Sequence, residues 1–239
     1  MIPYLSRQFL EQMTEPITRV YFQSTPRSDG LLPPVDMTDL AERILRLRVQ
    51  YFRLCDNGTI LGLTAFAEFD LEFDLVDGTT ECLHLRGNDI VIDSALQTTG
   101  KRGRRNFTVG HEAAHHILYR RFPNEYGPVC HRQAYILYRS TRDQHNRAEW
   151  QADSMASTLL MPRALVFDCM RYFGLGTRIE VLNRIFRSEE FDKFVQMANY
   201  MGVSKQALCI RLKQLNLLGK EYLASPYDLV NVYKDDDEI

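Results

Sequence analysis

The chain has 239 residues and a mass of 27.9 kDa, enough to bury a core as one large domain or as a domain with a smaller companion. With 29 Lys and Arg against 31 Asp and Glu, its formal net charge of −2 gives no general reason to expect nucleic acid or an acidic membrane surface as partner. The five cysteines (Cys55, Cys82, Cys130, Cys169, Cys209) are scattered and contain no C-x-x-C, which argues against a disulfide framework or a zinc ribbon and suits a reducing compartment.

MIPYLSRQFLEQM lacks the basic flank and apolar core of a signal peptide, and no apolar run approaches the roughly 20 residues that span a bilayer. The expectation is a soluble, cytoplasmic protein without membrane contact. Residues 1–34 read as an irregular lead with one short amphipathic stretch, closing in STPRSDGLLPP, where Gly and paired Pro break regular structure. Asp36 and Thr38 then offer capping side chains, and Leu40, Ala41, Ile44 and Leu47 recur at helical spacing, predicting an amphipathic helix over 37–48.

From Tyr51 the period changes. VQYFRL, TILGLTAFAEFDLEFDLV, TECLHL and DIVID are rich in β-branched and aromatic residues, and Asn57-Gly58 and Asp77-Gly78 sit between them as natural hairpin turns. Three to five mostly antiparallel strands are expected. Beyond Gly103 the pattern predicts helices over 108–121, 147–160, 163–173, roughly 178–185, 189–201 and 204–214. The fold class is therefore α+β: a small, mostly antiparallel sheet packed on helices, followed by a small helical part that is helix-turn-helix-like. The expected divisions are a lead (1–34), a catalytic domain (35–173, ending where Gly174 and Gly176 interrupt the pattern), a helical region (174–222) and a solvated acidic tail (223–239).

The chemistry concentrates in TVGHEAAHHILYRR. His111-Glu112-Ala113-Ala114-His115 is an H-E-x-x-H motif, and residues four apart on a helix share a face, so both imidazoles can reach one ion. Glu112 points aside, within reach of a metal-held water. Zinc bound by two His and a carboxylate keeps a fourth position open for that water and lowers its pKa to about 7. Glu112 can take the proton as general base and pass it to the departing amine. His116 lies about 100° round the helix from His115 and reads as a half-exposed residue outside the set. The motif alone is moderately specific, and two bare histidines could simply be half-exposed helix residues.

A third ligand is offered by AEWQADSMASTLLMP. Glu149 and Asp153 are four apart on a second helix, and Ala152 and Ala156, facing Ala113 and Ala114, would let the two backbones approach. Glu149 is the candidate ligand, and Asp153 the candidate acceptor for the spare N–H of His111 or His115.

Together, FTVGHEAAHHIL and EWQADSMASTLLMP resemble the ImmA/IrrE family of metallo-endopeptidases, which pairs F-T-x-x-H-E-x-x-H with E-x-x-A-N-x-F-A-x-x-L-L-M-P. The resemblance covers roughly residues 33–220. It implies a gluzincin-like zinc peptidase with His111, His115 and Glu149 as ligands and Glu112 as base, and with manganese as the alternative metal. Ala113-Ala114 stands for Leu-Gly, Asp153 for Asn and Met155 for Phe, and none of these removes a ligand. It further implies a narrow, regulatory substrate: a partner repressor with a helix-turn-helix domain, in a mobile-element or stress-response system.

Further signals complete the reading. MANYMGVSKQALCIRL resembles a helix-turn-helix, but its second helix offers Lys205, Arg211 and Lys213 while Glu189, Glu190 and Asp192 lie on the preceding one, so nucleic-acid contact through 189–214 is the lesser expectation. Lys101, Arg102, Arg104 and Arg105 read as a solvated loop, and Cys130-His131 as structural. Tyr119, Tyr126, Tyr135, His131 and His145 are candidates for stabilising an oxyanion, YILYRS for a lid or packing helix, and NDIVID for a sheet edge that adds a substrate strand. The rivals to a peptidase are a repressor-binding module that does not cut and a DNA-binding regulator.

Overall fold

A computed structural model describes residues 2–26, 30–54, 60–74, 80–98, 100–126 and 142–227. The turns at Asn57-Gly58 and Asp77-Gly78, the segment with Cys130, His131 and YILYRS (Tyr135 included), and the acidic end beyond 227 lie outside the described residues, as does the side chain of His145. The fold is α+β, and the chain divides into two compact units: residues 1–25 with 35–160, and residues 26–34 with 161–239.

The first unit begins with α1 (Arg7–Gln23), a seventeen-residue helix where the sequence suggests only a short amphipathic stretch. Ser6 caps it by accepting from Phe9 N at 3.2 Å, and Leu10, Thr14, Thr18 and Tyr21 form its buried stripe. The next helix is shorter than 37–48. Asp36 caps α2 (Met37–Asp39), which runs into a π-helical turn at Leu40–Ile44, and Arg46 then takes a left-handed φ of 60°. That turn frees Arg48 to start a strand, so pairing with a distant segment overrides local helical periodicity.

Five strands follow: β1 (Arg48–Phe52), β2 (Gly62–Thr64), β3 (Phe69–Asp74), β4 (Thr80–Leu85) and β5 (Asp89–Asp93). β3 and β4 form a hairpin, while the other three make a sheet in the order β1-β5-β2. β5 runs parallel to β1 and antiparallel to β2, so the three-stranded sheet is mixed, while β3 and β4 pair antiparallel. NDIVID is correspondingly the central strand, buried along its whole length. Among the described residues the outer strand on that side is β2. One charge at the start of β5 is compensated: buried Asp89 accepts from Arg48 Nε (2.7 Å), Gln50 Nε2 (3.1 Å) and Arg86 N (2.8 Å). Burial would raise its carboxyl, but Arg48 above all holds it below the usual carboxylate range.

After a 3₁₀ turn (Ser94–Gln97) comes α3 (Arg102–Arg121), then α4 (Arg142–Leu160). The basic cluster Arg102, Arg104, Arg105 is thus the first turn of α3 and not a loop. α3 packs along α4, where Gly110 stands against Ala156 and Ala114 shares a core cluster with Ala148 and Ala152. A Cβ at Gly110 would stand 3.4 Å from Ala156 Cβ. Small residues set this distance, because a larger side chain at any of them would push the backbones apart.

The second unit contains α5 (Arg163–Tyr172), β6 (Ile179–Leu182), α6 (Ser188–Met201), α7 (Lys205–Gln214) and β7 (Leu218–Glu221). Residues 179–182 form a strand where a helix is expected. They pair in parallel with β7, a partner some forty residues away that no local periodicity reveals. Gly202 closes α6 with φ 67°, and Ser204 caps α7 by accepting from Ala207 N at 3.1 Å. Arg211, counted among the cations of α7, is 2% exposed and donates from Nε to Met161 O at 2.9 Å. No helix among the described residues is long and apolar enough to cross a membrane.

Candidate metal centre

α3 and α4 lie side by side, and each presents one turn of polar side chains to the other. His111 and His115, four apart on α3, bring their Nε2 atoms to 3.1 Å from each other. Glu149 of α4 reaches between them: Oε2 is 3.1 Å from His111 Nε2, and Oε1 is 3.4 Å from His115 Nε2. Ligand atoms bound at 2.0–2.1 Å to one tetrahedral ion stand about 3.3 Å apart. The Nε2–Nε2 separation matches that edge, and one ligand atom from each of His111, His115 and Glu149 lies within 4.8 Å of the other two, so the three can hold a metal ion together.

Asp153, one turn beyond Glu149, orients the group. Its Oδ1 lies 2.8 Å from His111 Nδ1, so the hydrogen bond places the proton on Nδ1 and turns Nε2 toward the centre. In the metal-free chain these carboxylates also hold a proton on His111. Burial opposes the charge, but the hydrogen bonds to Asp153 and Glu149 carry the imidazole up to about 10. Burial would raise Glu149, whereas its contacts with His111 and His115 hold it well below the usual carboxylate range.

α4 is held in place from the far side by α1 and the residues before it. Thr14 Oγ1 donates to Thr158 Oγ1 at 2.9 Å within the buried interface. Gln151 Nε2 donates to Pro3 O at 2.8 Å, and its Oε1 accepts from the Tyr126 hydroxyl. Tyr4 stacks on Trp150, the neighbour of Glu149, at 6.3 Å. These contacts fix the rotation of α4 about its axis and thereby the direction of Glu149. They also commit Tyr126, named above for an oxyanion, to a structural bond. Tyr119, the other described tyrosine of that set, packs against Phe66 at 4.7 Å.

His116 is outside the metal set, as expected, but it is not half-exposed. It is 1% exposed, lies edge-on to Phe66 at 5.2 Å, and burial pushes its pKa down to about 4. It is a neutral core histidine.

Glu112 points from α3 toward β2. It is buried, and Thr64 Oγ1 donates to its Oε2 at 2.6 Å and to its backbone O at 3.1 Å. Two residues earlier, Gly62 brings bare backbone against the same side chain; a Cβ there would lie 2.6 Å from Glu112 Oε1 and 2.8 Å from Cγ. Gly62 and Thr64 are absent from the residues picked out by motif. Strand alternation puts both on one face of β2, but only the tertiary fold shows that this face meets Glu112.

Neither a scan against models of protein families nor a comparison with curated proteins found a match for this chain.

Proposed function

We propose that the chain is a zinc-dependent endopeptidase. The observation that carries this reading is the gathering of one ligand atom each from His111, His115 and Glu149 within 4.8 Å, with an additional carboxylate, Glu112, on the same helix turn. Two imidazoles and one carboxylate suit zinc, with manganese the alternative, and leave a position open. Zinc there would supply Lewis acidity toward the scissile carbonyl and an activated water. Glu112 takes a proton from the attacking water as oxygen bonds to the carbonyl carbon, and delivers it to the amine as the C–N bond breaks. Asp153 keeps His111 turned inward throughout.

The resemblance of the two helical motifs points to a repressor with a helix-turn-helix domain as the substrate. A repressor-binding module that does not cut would have no use for Glu112. A DNA-binding regulator acting through α6 and α7 is disfavoured by the burial of Arg211, which leaves Lys205 and Lys213 as the solvent-facing cations of α7.

The test uses the zinc-loaded protein and its Glu112→Gln variant. Each is incubated with a lysate of folded proteins, and new N-termini are mapped by mass spectrometry. The wild type is expected to generate a small set of cuts that the variant, loaded with equal zinc, does not. Identical termini from both would refute the reading.

A further inference from the structure

We infer that Thr64 is a positioning residue for Glu112. The inference rests on the peptidase reading for its catalytic meaning, but its geometry stands independently. Glu112 is the only member of the H-E-x-x-H turn that no residue of α4 is seen to hold among the described contacts of the site; His111 is held by Asp153 and Glu149, and His115 by Glu149. A Glu side chain has three rotatable bonds, so a base at a chemical centre needs something to fix its carboxylate. β2 supplies it. The Thr64 hydroxyl donates to Oε2 at 2.6 Å, the short, charge-assisted kind of hydrogen bond. Its second contact, to Glu112 backbone O at 3.1 Å, ties the same hydroxyl to the helix, so side chain and helix are referenced to one atom.

Gly62 makes the arrangement sterically possible. A side chain there would strike Oε1, Cγ and Thr108 Cγ2 at 2.6, 2.8 and 2.9 Å, so only glycine lets β2 lie this close to α3. Thr64 binds Oε2 and the Gly62 backbone lies against Oε1, so β2 bears on both carboxylate oxygens.

The test compares Thr64→Val, which keeps shape and loses the hydroxyl, with Thr64→Ser, which keeps the hydroxyl. Zinc content of both should equal that of the wild type, and Thr64→Val should melt a few degrees lower because it leaves a buried carboxylate without its donor, whereas Thr64→Ser should not. The first readout is calorimetric affinity of each zinc-loaded protein for acetohydroxamate, a zinc ligand whose hydroxyl proton an adjacent carboxylate accepts. Thr64→Val and Glu112→Gln are expected to bind it about 10-fold or more weakly, from loss of one hydrogen bond to a charged group, with Thr64→Ser near wild type. The second readout is turnover of a peptide spanning a cut mapped in the lysate. Here kcat should fall by about 10- to 100-fold in Thr64→Val with KM unchanged, and recover in Thr64→Ser. Thr64→Val indistinguishable from wild type in acetohydroxamate affinity would overturn the inference. Weakened acetohydroxamate binding by Thr64→Val, in a protein whose wild type cuts nothing, would sink the peptidase reading and leave the positioning of Glu112 intact.

Discussion

Removing the Asp153 carboxylate should weaken metal binding without abolishing it. Asp153 Oδ1 accepts from His111 Nδ1 at 2.8 Å, and Asp153→Ala leaves that nitrogen to water and frees the ring to rotate and to change tautomer. Losing such an outer partner generally costs about 10- to 100-fold in metal affinity. The Asp153 side chain is 55% exposed, so water can replace the acceptor, and the lower end applies: about 10-fold, or about 1.4 kcal/mol. Asp153→Asn keeps an acceptor but no charge, and about a threefold loss is expected. Competition against a chromophoric zinc chelator measures both, with His115→Ala as the reference for a lost ligand. Asp153→Ala at wild-type affinity would mean that the orientation of His111 contributes nothing. A loss as deep as that of His115→Ala would make Asp153 a ligand and refute the division of roles.

Two further outcomes follow from the charges. Because His111 is raised to about 10 while Glu149 is held ionised, metal uptake near neutral pH should release about one proton from His111, and affinity should climb with pH until that value. Calorimetry in buffers of different ionisation enthalpy counts the protons, and no release would contradict the site's electrostatics. Asp89 sits below its ordinary value when folded, so the unfolded chain takes up a proton first as pH falls. The stability it contributes is present above about pH 4 and is lost as pH drops through the folded value. Asp89→Asn should cost about 2 kcal/mol near neutral pH and flatten the acid limb of a urea-denaturation series; an unchanged acid limb would count against it.

Much of this was legible locally. β4 and β5 fall where β-branched runs predict them, and α3 through α7 are centred on their predicted segments, because each has a strong period or run of its own. What failed was decided at long range: residues 179–182 became a strand for the sake of β7, the helix over 37–48 yielded its end to β1, and β5 was drawn to the middle of its sheet. Edge and centre cannot be told apart in a five-residue run, since position in a sheet is a property of neighbours.

The same division runs through the candidate site. Helical spacing by itself put His111 with His115 and Glu149 with Asp153, because residues four apart share a face whatever surrounds them. Only the tertiary structure decided that the two pairs meet at 2.8–3.4 Å, since that depends on small residues seating one helix against the other. It also decided that His116 is core and that Gly62 and Thr64 belong to Glu112. These are contacts across some fifty residues of chain, made by a strand whose few residues carry no motif, and packing alone brings them together.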